Sequence, residues 1–277
     1  MANAEIDAKK IQHLYRSLDS TLSVLRKEEF ATLQEVKDLL STFDTCYQRS
    51  KKTDSYQNKT FIVLEGLDGS GKTTIAKKLA TALNGVRRKT PPTVLQTLRA
   101  KFDTHPPILR RAYYSIGNYV AAKEIEETLK YSSVILDRFY HSTAVFTIAT
   151  DMYEAGLAKD GLPPHGDPVY QWPQDLKPIP DVIFYLDVKE HVRSQRLSKR
   201  VQITAEEEQM ASSTEFRIFT APCKLLKMAV PEYWAGSKLK ETYLRMAEPA
   251  VTVINSNQPV KLVVSDILDF MKAKMMI

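Results

Sequence analysis

A glycine-rich loop between an apolar strand and a helix constrains the fold of this chain more than any other segment. Residues 61–74 read FIVLEGLDGSGKTT, and residues 66–73 form a complete Gly-x-x-x-x-Gly-Lys-Thr motif. Phe61 to Leu64 are apolar, as in a buried parallel strand, and Ile75 to Leu83 form a helix-favouring run. Strand, loop and helix in this order predict a phosphate-binding loop.

The motif predicts a nucleoside triphosphate site that uses ATP and Mg²⁺. Glycines let backbone N–H groups curl around a phosphate, and the helix N-terminus adds its positive end. We expect the catalytic Lys72 to reach the β- and γ-phosphates and the Thr73 hydroxyl to bind Mg²⁺. The alternative is a glycine-rich turn that matches the motif by chance. The predicted ATP-binding residues are Gly66, Leu67, Asp68, Gly69, Ser70, Gly71, Lys72, Thr73 and Thr74.

Strand and helix patterns alternate through the rest of the chain. This alternation predicts an α/β fold with a mainly parallel sheet that helices cover on both faces. A long helix is expected over Ile108 to Lys130. Its inner stripe is predicted to be Leu109, Ala112, Ile116, Val120 and Ile125. Further strands are predicted at 85–89, 133–136, 182–188 and 251–255, with a closing helix at 260–275.

The N-terminal residues 1–58 are predicted to be a helical extension of a P-loop domain over residues 59–277. Ile11, Leu14, Leu18, Leu22 and Leu25 recur at helical spacing, and residues 5–50 as a whole favour two or three amphipathic helices. Residues 50–58 are polar and suit a linker. Since no catalytic signature occurs here, we expect this extension to pack on the main domain or on a partner.

Composition limits the kinds of partner. The net charge of +6 lies within 59–277 and suits small anionic substrates, whereas no dense Lys/Arg run interleaved with aromatics predicts nucleic-acid binding. No apolar run is long enough to span a membrane. Cys46 and Cys223 favour a reducing compartment without a disulfide framework. Glu5 and Asp7 are unlike an arginine-rich transit peptide.

Asp137 and Arg138 follow the apolar strand at 133–136. The carboxyl ends of parallel strands meet at one edge of a sheet, so both residues are expected beside the phosphate loop. Asp137 is in the position of a second Mg²⁺ ligand, acting directly or through water. The planar guanidinium of Arg138 suits two reacting phosphates, which makes it a candidate catalytic residue. The alternative is a salt bridge at the end of the strand.

Three arginines, Arg193, Arg196 and Arg200, share one face of a predicted helix. On a mobile segment they would close over ATP and neutralise charge on the transferred phosphoryl group. The alternative is a solvated basic face with residues 206–208 as counter-charges.

The sequence resembles the thymidylate kinase family of nucleoside monophosphate kinases. EGLDGSGKTT, the DRF at 137–139 and LDVKEHVRSQRLSKR at 186–200 carry the resemblance, which covers about 59–277 and is interrupted near 218–237. A closer likeness to the mitochondrial UMP-CMP kinase branch lies in PPILRRAYYSIGNYVAAKEI, DRFYHSTAVFTIAT and PVYQWPQDLKP. The resemblance implies a P-loop kinase fold with a five-stranded parallel sheet, a lid and a nucleoside monophosphate site.

The resemblance also implies substrate-binding roles. Tyr114 is placed to stack on the acceptor base, Asp68 to approach the acceptor sugar, and Arg99 and Arg111 to bind the acceptor phosphate. Asn118 stands where thymidylate kinases commonly have an arginine, a departure that disfavours thymidylate. Because an amide both donates and accepts hydrogen bonds, Asn118 can meet uracil or cytosine.

Two other departures concern the phosphate loop and the lid. Thr90 to Thr93 replace the family's Phe-Pro-x-Arg segment, so another residue must bind the acceptor phosphate. Position 69 is Gly rather than Arg, a pattern that in the family goes with catalytic arginines in the lid, here Arg196 and Arg200. About twenty residues, 218–237, are inserted after Arg217, which is long for a loop inside a compact domain.

These patterns predict Mg²⁺-ATP-dependent phosphorylation of UMP, CMP and their deoxy forms to diphosphates. Small-molecule nucleotides are the expected partners. The sequence does not decide between a monomer and a homodimer. The alternatives are a thymidylate kinase, or a non-catalytic ATP-binding interaction protein that works through its N-terminal helices. The resemblance implies a mitochondrial location, and the cytoplasm is the alternative.

Overall fold

A five-stranded parallel sheet forms the centre of the molecule. The structure, a computed structural model, describes residues 11–48, 59–156, 161–199 and 232–277. The strands run in the spatial order β2-β3-β1-β4-β5, and every neighbouring pair is parallel. They are β1 (Phe61–Glu65), β2 (Val86–Lys89), β3 (Val134–Asp137), β4 (Val182–Asp187) and β5 (Val251–Asn255). The prediction of a five-stranded parallel sheet is confirmed.

Helices cover both faces of this sheet. The helices are α1 (Leu18–Leu25), α2 (Glu28–Ala31), α3 (Gln34–Gln48), α4 (Lys72–Ala82), α5 (Gln96–Thr104), α6 (Pro107–Leu129), α7 (Tyr140–Glu154), α8 (190–199), α9 (Glu232–Arg245) and α10 (Val260–Ala273). Within the described ranges, none of them combines the length and apolarity needed to cross a membrane.

The central strand β1 contributes to two separate apolar cores. Phe61 and Val63 pack into one core with α6 and α7, while Ile62 and Leu64 pack into the other with α4 and α10. Alternate side chains of a strand point to opposite faces, so a strand covered on both sides is apolar throughout. The predicted inner stripe of α6 is fully buried in the first core.

The register of β1 and β3 brings the ends of both strands together. Leu64 of β1 lies beside Asp137 of β3, and Leu64 also pairs with Phe184 of β4. The loop after β1 and the residues after β3 therefore leave the sheet at the same edge.

The first helix begins later than the apolar spacing predicted. Ile11 and Leu14 precede it in a segment that is not helical, and α1 starts at Leu18. Ser17 caps the helix, because its side chain accepts a hydrogen bond from the backbone N–H of Ser20 at 3.0 Å. A cap of this kind satisfies a free N–H of the first turn and sets the start of the helix.

The segment before α1 makes tertiary hydrogen bonds instead. The backbone N–H of Gln12 donates to Asp151 Oδ2 at 3.0 Å, and the Tyr15 hydroxyl donates to the carbonyl of Ile108 at 2.8 Å. These long-range bonds take the place of helical bonds, which the spacing of apolar residues cannot reveal.

The described part of the N-terminal extension packs on α6. Leu22 and Leu25 of α1 and Val36 and Leu39 of α3 belong to the same buried core as α6. Contact between apolar side chains from two such segments is favourable because it removes apolar area from water.

Candidate active site

The phosphate loop connects β1 to α4 and leaves no room for a side chain at position 69. Gly69 has a φ of +84°, and a Cβ atom there would lie 3.0 Å from the carbonyl oxygen of Arg193. A positive φ and a contact with backbone both disfavour any larger residue. The absence of an arginine at position 69 therefore has a steric reason in the position of α8.

Lys72, the first residue of α4, lies within the loop. Its Nζ donates to the carbonyl oxygens of Gly66 at 3.0 Å and Leu67 at 2.9 Å. Burial, followed by the nearby Arg138 guanidinium, lowers the pKa of Lys72 to about 8. A triphosphate in the loop would supply the negative charge that favours the ammonium form.

Thr73 and Asp137 meet at the end of the sheet. The Thr73 hydroxyl donates to Asp137 Oδ2 at 2.7 Å. Both side chains offer oxygen, the ligand type that Mg²⁺ prefers, so the pair fits the predicted metal site.

Arg138 extends from the end of β3 to the phosphate loop. Its Nη2 donates to Asp68 Oδ1 at 2.5 Å, and its Nη1 donates to Ser142 Oγ at 3.0 Å. The backbone of Arg138 has a φ of 70°, a conformation that is uncommon for a residue with a side chain. The salt bridge that the sequence left as an alternative does form, but its acidic partner belongs to the phosphate loop. The Arg138–Asp68 salt bridge therefore lies where the phosphates are expected.

The residues expected to bind the acceptor phosphate lie near α6, each beside a buried carboxylate. Arg111 pairs with Asp151, and the Nε of Arg99 lies 3.6 Å from Asp103 Oδ2. The Tyr114 hydroxyl donates to Asp103 Oδ1 at 2.7 Å. Among the described residues, Arg111 Nη2 and Arg99 Nε find no hydrogen-bond partner. Buried donors of this kind are normally satisfied, so both are suited to an anionic ligand.

Asn118 is buried rather than exposed on the surface of α6. It is 2% exposed, and its Nδ2 donates to Thr143 Oγ1 of α7 at 3.0 Å. Sequence reasoning did not identify Thr143, although a polar residue in the first turn of a mostly apolar helix is a usable signal. Tyr114 lies one helical turn before Asn118, so the two predicted base-contacting residues share a face of α6.

The two described arginines of the basic face of α8, Arg193 and Arg196, contact the phosphate loop. Arg196 Nη1 donates to the carbonyl oxygens of Gly69 and Ser70, both at 3.4 Å, and its Nη2 donates to that of Ser256 at 2.9 Å. Arg193 is 7% exposed and donates to the carbonyl oxygen of Asp68 at 3.4 Å. Both guanidinium groups therefore contact backbone carbonyl oxygens of the phosphate loop.

The linker predicted at 50–58 lies outside the described residues, and so do three predictions about the region after α8. They are the catalytic role of Arg200, the counter-charges at 206–208 and the inserted segment near 218–237 up to residue 231, while residues 232–237 begin α9.

Comparison with known proteins of similar sequence identifies the family of this chain. The thymidylate kinase family model matches residues 64–224, more than half of the chain. The chain belongs to the thymidylate kinase family. A human relative named UMP-CMP kinase 2, mitochondrial, is 35% identical over 242 residues, which cover 87% of this chain and 48% of that protein. The chain thus spans about half the length of this relative.

Archaeal and fungal proteins extend the comparison. A probable thymidylate kinase from Sulfurisphaera tokodaii is 31% identical over 156 residues, which cover 53% of this chain and 73% of that protein. The structure of thymidylate kinase from Candida albicans superposes with a TM-score of 0.51 at 17% identity, covering 79% of this chain and 93% of that one. At this identity the structural likeness shows the family fold.

The burial of His141, three residues after Arg138, leads us to expect a loss of folding stability in mild acid. It is fully buried, and its Nε2 lies 2.9 Å from the carbonyl oxygen of Pro249, so the neutral ring donates there. Burial lowers the pKa of His141 from 6.5 to about 4. As the pH falls, the unfolded chain therefore binds this proton at a higher pH than the folded chain does. The free energy of unfolding decreases as the pH drops from 6.5 towards 4.

We expect a loss of about 2 kcal/mol from His141 between pH 7.5 and pH 5. The loss of stability measured by urea unfolding at the two pH values should be about 2 kcal/mol smaller in His141→Gln than in the wild type. The exposed His191 offers a matched control, and His191→Gln should keep the wild-type pH dependence. An identical dependence in all three proteins would contradict the assignment to His141.

Proposed function

We propose that this chain transfers the γ-phosphoryl group of ATP to a pyrimidine nucleoside monophosphate. The observation that carries the proposal is the meeting of three groups at one edge of the sheet. These are the loop with Lys72, the Thr73–Asp137 pair, and Arg138 in contact with Asp68. Membership of the thymidylate kinase family supports the same reaction class.

The chemistry requires no nucleophile from the protein. An oxygen of the acceptor phosphate attacks the γ-phosphorus, the bond between that phosphorus and the β–γ bridging oxygen breaks, and ADP leaves. Catalysis then comes from positioning and charge neutralisation. In the proposal Lys72 and Arg138 neutralise the transferred group, and Arg196 and Arg200 add positive charge from α8 and the segment that follows.

Thr73 and Asp137 would hold Mg²⁺ in this scheme. When bound, the ion neutralises charge on the β- and γ-phosphate oxygens. Only one of these two residues is a carboxylate, which is usual because Mg²⁺ keeps several waters and phosphate ligands.

The acceptor would lie along α6, with Tyr114 stacked on its base and Asn118 at the base edge. Within the described part of the chain, Arg99 and Arg111 each have a buried N–H group that makes no hydrogen bond, which supports a role in binding the acceptor phosphate. The Asp68 carboxylate would approach the acceptor sugar from the phosphate loop.

An acceptor panel tests the proposal. ADP release is measured with UMP, CMP, dUMP, dCMP and dTMP in separate reactions with ATP and Mg²⁺. We expect turnover of the uridine and cytidine acceptors above the rate without acceptor. If none of the five acceptors supports turnover, the proposed reaction is wrong.

Base preference gives a sharper prediction, because uracil and cytosine differ in their hydrogen-bonding edge. Uracil has an acceptor at position 4 and a donor at N3, whereas cytosine has the reverse. The Asn118 amide can meet either pattern, but a carboxylate facing position 4 accepts from the amino group of cytosine and repels the carbonyl oxygen of uracil. Asn118→Asp should therefore shift kcat/KM towards CMP over UMP by roughly 1–3 kcal/mol.

The measurement is the ratio of kcat/KM for CMP and UMP in the wild type and in Asn118→Asp, at pH 8. Asn84→Asp is the control, since Asn84 is exposed and precedes β2, at the edge of the sheet opposite to the phosphate loop. An unchanged ratio in Asn118→Asp would leave Asn118 with no part in reading the base.

A thymidylate kinase is the second candidate. The family model and the archaeal relative carry that name, which favours it. Against it, Asn118 stands where an arginine is common in thymidylate kinases. Exclusive turnover of dTMP in the same panel would establish this alternative. ATP binding without acceptor-dependent turnover would instead support an interaction protein.

We extend the proposal to a mitochondrial location, because the human relative at 35% identity is named as mitochondrial. Imaging of the natural full-length protein with a C-terminal tag tests this part independently of the reaction.

A further inference from the structure

A buried carboxylate next to the phosphate loop has no role in the chemistry described so far. Glu65 is the last residue of β1 and directly precedes Gly66. It is 0% exposed. Isolated buried charges are costly, so a glutamate in this position must have partners that offset the loss of water.

The partners of Glu65 lie on two helices. Its Oε1 accepts hydrogen bonds from the backbone N–H groups of Phe139 at 2.9 Å and Ser142 at 3.2 Å. Its Oε2 accepts from the Ser142 hydroxyl at 2.5 Å and the Tyr243 hydroxyl at 3.2 Å. Both oxygens of the carboxylate are thus fully engaged.

The carboxylate therefore acts as the N-terminal cap of α7. This helix begins at Tyr140, and Phe139 at its N-cap position makes no side-chain capping bond. The first N–H groups of a helix need acceptors, and a negative charge at this end interacts favourably with the helix dipole. Glu65, at the end of β1, supplies both the acceptor and the negative charge.

Residues of β1 and α7 hold Arg138 through both its backbone and its side chain. The N–H of Arg138 donates to the carbonyl of Leu64 at 3.0 Å, and the next N–H, that of Phe139, donates to Glu65. Ser142, which donates its hydroxyl proton to Glu65, accepts a hydrogen bond from Arg138 Nη1 at 3.0 Å. The other end of the guanidinium contacts Asp68.

The backbone at Arg138 needs such support. A non-glycine residue at a φ of 70° costs free energy and persists only where its surroundings impose it. Two consecutive residues of β1, Leu64 and Glu65, accept from the two consecutive N–H groups at this turn. The structure thus couples the last residue before the phosphate loop to the orientation of Arg138.

We propose that Glu65 is a positioning residue that, through Ser142 and the start of α7, holds the Arg138 guanidinium in the orientation needed for phosphoryl transfer. Tyr243 extends this network to α9, the helix that follows residues 200–231 in the chain. The inference rests on the proposed function, since it concerns a residue that acts through Arg138.

The test combines Glu65→Gln with Arg138→Ala in a double-mutant cycle. Glutamine keeps the shape of Glu65 but loses its charge and one of its two acceptor oxygens. We expect Glu65→Gln to lower kcat by about 10- to 100-fold, with the KM for ATP and for acceptor changed less than about threefold. In the Arg138→Ala background the same change should have little further effect, because its target is gone.

Two further variants keep the test decisive if Glu65→Gln does not fold. Ser142→Ala removes the hydroxyl between Glu65 and Arg138 but keeps both backbone contacts of Glu65, so we expect it to lower kcat. In the Arg138→Ala background, Ser142→Ala should have little further effect on kcat. Asp181→Asn is the matched control. The Asp181 carboxylate accepts from the N–H of Phe61 at 2.7 Å, at the opposite end of the same strand. It should leave kcat within about twofold, as expected for a surface change.

The outcomes separate the two proposals. If the wild type turns over no acceptor, the proposed function fails and the role of Glu65 fails with it. If the wild type is active and the losses from Glu65 or Ser142 and from Arg138 simply multiply, only the positioning role is overturned. An equal loss in the Asp181→Asn control would also overturn it, since general destabilisation would then explain the effect.

Discussion

Lys72→Ala should lower kcat at least a hundredfold, on the order of 3 kcal/mol of transition-state stabilisation. Lys72 Nζ lies between the carbonyl oxygens of Gly66 and Leu67, inside the loop expected to hold the phosphates. An ammonium group there interacts with the β- and γ-phosphates as the transferred group separates. The measurement is steady-state ADP release at saturating ATP and acceptor.

Lys78 provides the control for this prediction. It lies on the same helix, α4, but is exposed. Lys78→Ala therefore removes an equal charge from the same element and should leave kcat near the wild-type value. A folded Lys72→Ala enzyme with near-normal kcat would show that this loop is not the catalytic one.

Arg138→Ala should lower kcat by roughly a hundred- to a thousandfold, because the guanidinium would neutralise charge on two reacting phosphates. Its two ends contact Asp68 and Ser142, which hold it beside the loop. Arg138→Lys keeps one positive charge but cannot reach both partners with a planar group. We expect lysine to restore less than about a tenth of the lost activity.

Single-turnover measurements distinguish this role from ground-state binding. If Arg138 acts in the transition state, the rate of the chemical step falls while ATP affinity stays close to that of the wild type. Arg87→Ala on β2 is the control, since Arg87 is exposed on the edge strand. A weaker ATP affinity with an unchanged chemical step would reassign Arg138 to substrate binding.

Contiguous patterns made the fold predictable. The apolar run at the start of the phosphate loop, the glycine motif and the helix after it are local signals, and each one formed the element that it predicted. The strand predicted at 251–255 coincides with β5, and the inner stripe of α6 is buried as expected. Such signals depend on the period of a strand or helix, which a sequence shows directly.

The start of α1 could not be obtained in this way. Ile11 and Leu14 continue the helical spacing, yet hydrogen bonds from Gln12 to Asp151 and from Tyr15 to Ile108 hold this segment in another conformation. Those acceptors are more than ninety residues away in the chain, so local propensity does not report on them.

The candidate site shows the same division. Local patterns predicted the positions of the phosphate loop, Asp137 and Arg138, because each lies at the end of a recognisable strand or directly after one. Long-range contacts, by contrast, bury Asn118 against Thr143 and let Glu65 cap α7 beside Arg138, and no local pattern predicted either one. These contacts follow from the register that places Leu64 beside Asp137, and from helix packing across the sheet. Both depend on residues far apart in the chain, whose alignment no local pattern specifies.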